Sequence, residues 1–204
     1  MKIKTKEEAV EQFRITSIQE AAMKVIARKG YELATMNAIA EEAGVAKGTI
    51  YLYFESREDL LKKTGESAFG ELNGLVTAAI DSHPDLEGRL GAVVRANLGF
   101  FEENREFFRI YLAFADRACE FQKRAHHPLY RDYLQTLTRL LEDAIVRNEA
   151  RKVEPHRAAV LIGAMLRGMV LQRLADREKT DLDADVEFIV SVLLNGLEKV
   201  RNRS

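Results

Sequence analysis

T-M-N-A-I-A-E-E-A-G-V-A-K-G-T-I-Y-L-Y-F, Thr35 to Phe54, has the spacing of two short helices joined by a tight turn. Gly44 stands where the backbone must turn left-handed, a conformation that costs other residues energy. Ala40, four residues earlier, is small where a second helix has to cross closely. Ile50, six residues later, is apolar where that helix packs back on the first. Ile39, Ala43 and Val45 complete the expected shared core. Lys47, Gly48, Thr49, Tyr51 and Tyr53 are left pointing outward. A helix presented in this way fits the DNA major groove, its first turn toward base edges. The same spacing also occurs in helical hairpins that only pack, so the flanking residues decide between the two.

Tyr51-Leu52-Tyr53-Phe54, followed by Glu55-Ser56-Arg57-Glu58-Asp59-Leu60-Leu61, resembles the signature of the TetR family of bacterial transcriptional regulators. The resemblance starts near Ile15 and is dense through Leu61, roughly a quarter of the chain. It implies an all-α fold in which a three-helix helix-turn-helix head is joined by a long helix to a body that binds a ligand and dimerises. Thr35, Thr49, Tyr53 and Arg57 are then expected at DNA phosphates, and Lys47 and Tyr51 at base edges. Gly48 lets the helix backbone approach the groove, and Asn37 is a further base contact. Ala46 departs from the Ser or Thr common in the family, which gives up a helix cap worth ~1 kcal/mol and a phosphate contact.

Composition fits such a protein. The chain has 204 residues, 47% hydrophobic and 31% charged, with three prolines and no tryptophan, a balance that favours helix. No alternating apolar and polar run bounded by turn residues suggests a strand. The single Cys119 excludes an intrachain disulfide framework and fits a reducing compartment. No N-terminal segment resembles a signal peptide, and no apolar run is read as membrane-spanning, so a cytoplasmic protein without membrane contact is expected. Net charge is −1. Residues up to Thr64 carry 11 Lys and Arg against 10 Asp and Glu, and the remainder 20 against 22. DNA binding must therefore rest on a few placed groups and not on a basic surface.

Residues 1 to 8, with Lys2, Lys4 and Lys6, read as a frayed arm. Apolar residues at helical spacing then predict a helix from Ala9 to Lys29, stopped by Gly30. Thr35 caps the next helix. Ser56 and Asp59 have capping-box spacing, with Asp a short partner, and open a helix that runs to about Ala79. The break Asp81-Ser82-His83-Pro84-Asp85 ends it. Further helices are expected over Leu86–Glu103, Arg105–Lys123, Leu129–Asn148, Pro155–Ala175 and Leu182–Val200, about nine in all. A domain boundary is drawn near Lys63, inside the long helix, with residues 1–63 as the DNA-binding domain and 64–204 as the ligand-binding and dimerisation domain.

In the body, Phe100, Phe101, Phe107, Phe108, Phe114 and Phe121 crowd one stretch, with Tyr111 among them. Aromatics at such spacing make core, and they also make the wall of an apolar pocket with a few polar groups fixing orientation. The resemblance implies such a pocket, with Phe69, Arg95, Phe101, Phe108, Tyr111, Phe114, Tyr133, Met165 and Met169 as candidate liners and Asn97 as a further polar group. Ala158–Leu166 is apolar all round and Phe188–Leu194 nearly so, so both need burial on every side. A second chain is the economical supply, through a four-helix interface on a two-fold axis as the resemblance also implies, the alternative being a wholly internal hairpin in a monomer. Leu161, Ala164, Gly168, Leu171, Phe188, Val192, Leu193 and Leu197 are the expected contacts, and Gly163 and Gly168 would permit close approach.

His126 and His127 are adjacent and face about 100° apart in a helix, so they cannot share a metal. Neither His-Glu-x-x-His nor Glu-x-x-His occurs, and no metal or other cofactor is called for. The first functional class is a dimeric repressor on a palindromic double-stranded operator, released by a small apolar or amphipathic effector. The second is an architectural or adaptor protein with the same head, whose body binds another protein. The third is an all-helical enzyme, for which no nucleophile, acid pair or metal site stands out.

Overall fold

The computed structural model describes residues 6–108, 128–176 and 181–197, and all regular structure among them is helical. The helices are α1 (Lys6–Lys29), α2 (Met36–Ala43), α3 (Lys47–Tyr51), α4 (Arg57–Asp81), α5 (Leu86–Glu103), α6 (Pro128–Val146), α7 (Pro155–Ala175) and α8 (Leu182–Leu197). A further helical stretch opens at Arg105. Most expected bounds hold to within two residues. α1 is already helical at Lys6, ahead of the expected Ala9, with Glu7 and Glu8 suited to the helix dipole, and α8 is described to Leu197.

The described residues divide into two compact units, 6–68 with 106–108, and 69–105 with 128–176 and 181–197. The division falls inside α4, five residues beyond the boundary drawn near Lys63. In the first unit, Ile18, Ala22, Val25 and Ile26 on α1 are buried together with Ile39, Ile50, Phe54 and Leu60. Gly30 ends α1 at φ 80° with its N–H donating to the Ile26 carbonyl at 2.9 Å. An ion pair between Arg28 and Glu42 ties the end of α1 to α2. Ala43 and Val45, expected in the core, are only half-buried. They instead join Val10, Phe13 and Arg14 in lining a surface groove of about 450 Å³ along α1.

In the second unit, α7 packs on α6 and α5, and α8 on α5. The shared core is built from Leu90, Val94 and Leu98 of α5, Leu137 and Leu141 of α6, Ile162 and Leu166 of α7, and Ile189 of α8. Asp85 caps α5 by accepting from the Gly88 N–H at 2.8 Å, and Glu154 caps α7 by accepting from His156 and Arg157. The break between α4 and α5 is closed by Arg89, which is 6% exposed. Its guanidinium donates to the carbonyls of His83 at 3.0 Å and Pro84 at 2.9 Å, and to the Asp143 carboxylate on α6 at 2.6 Å. The Arg89 hydrogen bond holds the Asp143 carboxyl below the usual carboxylate range. This contribution is therefore present at neutral pH and is lost as acid takes the pH down through the folded value.

α7 corrects one expectation from the sequence. Its 21 residues include an 18-residue window with a mean hydropathy of 1.4, long and apolar enough to cross a membrane by length and composition. Within the chain, 39% of that apolar window is buried. Arg173, near its end, is buried and paired with Glu102 at 3.6 Å and with Asp185. A guanidinium held by two carboxylates marks a helix of a folded body.

Arg89→Ala removes the donors for two carbonyls in the break and should destabilise by about 2–3 kcal/mol. Asp143→Ala, which removes a half-exposed carboxylate, should cost clearly less. Thermal unfolding at fixed protein concentration checks the order, and equal losses would show that the ion pair, not the closure of the break, is what matters.

Candidate nucleic-acid interface and body site

The turn before α3 follows from its sequence. Thr35 caps α2 by accepting from the Ala38 N–H at 3.2 Å. Gly44 ends α2 at φ 66°, ψ 31°, and donates to the Ala40 and Glu41 carbonyls. Ala46 begins α3 with no side-chain cap, as its methyl group requires. α3 is then held by Ile50, fully buried, and by Phe54, whose N–H donates to the Ile50 carbonyl at 3.0 Å.

That seam sets what faces out. Lys47 and Gly48 are exposed, Thr49 and Tyr53 half-buried, and Tyr51 is 50% exposed. A Cβ added at Gly48 would meet nothing within 4 Å. Asn37 is exposed in the first turn of α2, and Thr35 is exposed beside it. Lys47 forms no ion pair among the described residues. Leu52, passed over in the sequence, is 76% exposed directly after α3.

Arg57 lies differently from the expected free phosphate ligand. Its guanidinium sits over the Tyr31 ring, 4.7 Å from the centroid. It also approaches the carbonyls of Tyr31 at 3.4 Å and Glu32 at 3.5 Å, and pairs with Glu58 at 3.4 Å. Burial pushes the Tyr31 phenol up, and the Arg57 charge partly offsets it. The first turn of α4 is otherwise held as the capping-box spacing predicted. Asp59 N–H donates to Ser56 Oγ at 3.0 Å, while the Asp59 carboxylate accepts from the N–H of Glu55, not of Ser56.

The candidate pocket liners separate. Phe69 and Phe101 meet edge to face, centroids 6.1 Å apart. Tyr133 donates to Asn97 Oδ1 at 3.0 Å, Asn97 in turn donates to the Val93 carbonyl at 2.8 Å, and burial pushes the Tyr133 phenol up. Met165 and Met169 are half-buried on α7. Arg95 is a correction: it is exposed and paired with Asp183 at 2.6 Å, because its turn of α5 faces the start of α8. Phe108 is fully buried but belongs to the first unit. Tyr111, Phe114, Phe121, Cys119, His126 and His127 lie outside the described residues.

Most of the candidate dimer residues share one property. Leu161 (71%), Phe188 (64%), Leu171, Val192, Ala164 and Gly168 are all exposed in the single chain, and Leu193 is half-buried. The side chain of Leu197 lies outside the described residues. Gly163 is a correction, since it is buried and its missing Cβ faces Leu134 and Tyr133 of α6. It permits close approach inside the chain, not between chains.

Two family models match the sequence. Bacterial regulatory proteins of the tetR family match residues 18–64, and the BetI-type transcriptional repressor C-terminal model matches residues 86–195. The regulator BetI of Vibrio vulnificus (strain YJ016) is 30% identical over 159 residues, 76% of this chain and 80% of the relative. The fatty acid metabolism regulator protein of Bacillus subtilis (strain 168) is 25% identical over 182 residues, 88% and 93% of the two chains. Among solved structures, FadR from Bacillus subtilis in complex with stearoyl-CoA has a TM-score of 0.76 at 25% identity, covering 90% of this chain and 99% of that one. These relatives are transcriptional regulators and not enzymes. The second model alone spans more than half of the sequence, and the chain belongs to the TetR family of bacterial transcriptional regulators, all-α DNA-binding proteins with a ligand-binding C-terminal domain.

Proposed function

We propose that the chain is a cytoplasmic repressor that binds a palindromic operator as a homodimer and is released by a small amphipathic effector. The observation that carries this reading is the exposed apolar face shared by α7 and α8. Leu161, Ala164, Gly168 and Leu171 recur at spacings of three and four along α7, and Phe188 and Val192 are one turn apart on α8. An isologous four-helix contact covers all of them at once and pairs two heads by a two-fold axis. Two recognition helices so related read half-sites ~34 Å apart, or a multiple of that.

At each half-site, Lys47 and Tyr51 reach base edges, with Asn37 as a further contact. Thr35, Thr49 and Tyr53 hold phosphates. Arg57 joins them by giving up its long contacts to the Tyr31 and Glu32 carbonyls, which are weak at 3.4 and 3.5 Å. The effector acts through the body, and only to the extent that it binds the two states with different affinity. The likeness to the stearoyl-CoA complex supports a fatty acyl thioester as the class to test first. The buried Phe101 ring and the neutral Tyr133–Asn97 pair suit an apolar chain with one polar end.

Footprinting upstream of the chain's own coding region should reveal a palindrome that stearoyl-CoA releases. A footprint without two-fold symmetry, or one untouched by apolar effectors, would sink the repressor mechanism as stated.

Gly48→Ala should leave stability unchanged or raise it by up to about 1 kcal/mol, since Ala is the better helix former and the added methyl meets open space. The same variant should weaken operator binding by about tenfold or more, the cost of holding the backbone off the groove. Tyr51→Ala and Lys47→Ala should weaken it too, with the dimer intact. Operator retention equal to wild type in these variants would refute the assignments. Phe188→Asp should sediment as a folded monomer at micromolar concentration and bind the operator poorly, and a persistent dimer would place the interface elsewhere.

A further inference from the structure

The outward direction of α3 can be read from its buried residues. At about 100° per residue, Ile50 and Phe54 project about 40° apart, and both are buried against the head. The direction opposite their midpoint falls on residue 52, with Gly48 about 40° to one side and Tyr51 about 100° away. Helical geometry extends that far, because Leu52 has φ −71°, ψ −22° and the Phe54 N–H still donates to the Ile50 carbonyl. The outermost side chain of the recognition helix is therefore an aliphatic one.

A single exposed leucine is ordinary on a protein surface. Here it adjoins Gly48 on the outward side of α3, the helix of a DNA-binding head that enters the groove, with Tyr51 to one side and the exposed Lys47 in the first turn. Gly48 lies one turn before it and carries no side chain, so the surface beside Leu52 is low and a base edge can come close. Thymine C5-methyl is the apolar group that bases present in the major groove, where the other base-edge groups donate or accept hydrogen bonds. A branched aliphatic side chain satisfies none of those polar groups and loses exposed surface against a methyl.

We propose that Leu52 is a specificity-determining residue that reads a thymine C5-methyl group in each operator half-site, over the backbone clearance left by Gly48. The polar contacts of Lys47 and Tyr51 then register neighbouring base pairs. Preference at the Leu52 position is for thymine against uracil as well as against cytosine.

The test starts from sites selected by the full-length dimer from a random-sequence duplex pool. Each thymine of the selected site is replaced by deoxyuridine, symmetrically in both half-sites, and affinity is measured for wild type and for Leu52→Ala. Because Leu52 is exposed, the substitution spares the core, and an unchanged salt dependence of binding confirms that the phosphate contacts survive. At one symmetric pair of thymines, wild type should lose about fourfold per half-site, the effect of one methyl group left out of an apolar contact. Leu52→Ala should bind the thymine and uracil duplexes with a ratio near one. Leu52→Met, which keeps an apolar tip, should retain part of the discrimination. The proposal is overturned if no thymine-to-deoxyuridine change affects wild type. It is equally overturned if the loss persists undiminished in Leu52→Ala, because another side chain then reads the methyl.

Discussion

Burial of Ile50 and Phe54 fixes the rotation of α3 about its own axis, and nearly everything the head does depends on that rotation. A five-residue helix has little stability of its own, so its orientation comes from what it buries. With two large side chains fully or almost fully buried in the head, no turn of the helix is available that would hide Tyr51 or Leu52. Gly44 makes the arrangement possible. At φ 66° it satisfies two carbonyls of α2 and sends the chain into α3 within three residues. Ala46 shows that the seam is sufficient, since α3 forms there without a side-chain cap.

The electrostatics of the head explain how a nearly neutral protein binds DNA. Arg28 is paired with Glu42 and Lys63 with Asp59 at 2.9 Å, while Arg57 lies over Tyr31 with only a long contact to Glu58. These cations hold helices and corners together, and their charge is largely answered within the head. Lys47, exposed in the first turn of α3, forms no ion pair among the described residues.

Local chemistry made much of the head legible in the sequence. Thr35, Gly44, Ser56 and Asp59 act through bonds to residues three or four away, and such spacing is visible in a linear chain. Gly30 ended α1 for the same reason. What was not legible required partners distant in sequence. Arg89 reads as one more charged residue on α5 until His83, Pro84 and Asp143 converge on it. Arg95 looked like a pocket residue until Asp183, 88 positions later, took its charge. Gly163 and Gly168 are indistinguishable in the sequence, yet one packs on Leu134 and the other is exposed. Leu52 was missed for a different reason: its meaning lies in an azimuth, and the azimuth is defined only once Ile50 and Phe54 are known to be buried.

α7 shows how composition under-determines environment. Its apolar residues are as compatible with lipid as with protein, and length alone does not choose between them. Arg173 ties the end of this helix into the body, where carboxylates of α5 and α8 pair with it. With its inner stripe of Ala159, Ile162, Leu166 and Val170 buried, the same helix still turns Leu161 and Leu171 to the outside. Leucines there do nothing for the stability of one chain, and leaving them exposed invites association. A helix that needs apolar partners on both faces finds them on only one within its own chain, which leaves the second face for the partner copy we propose.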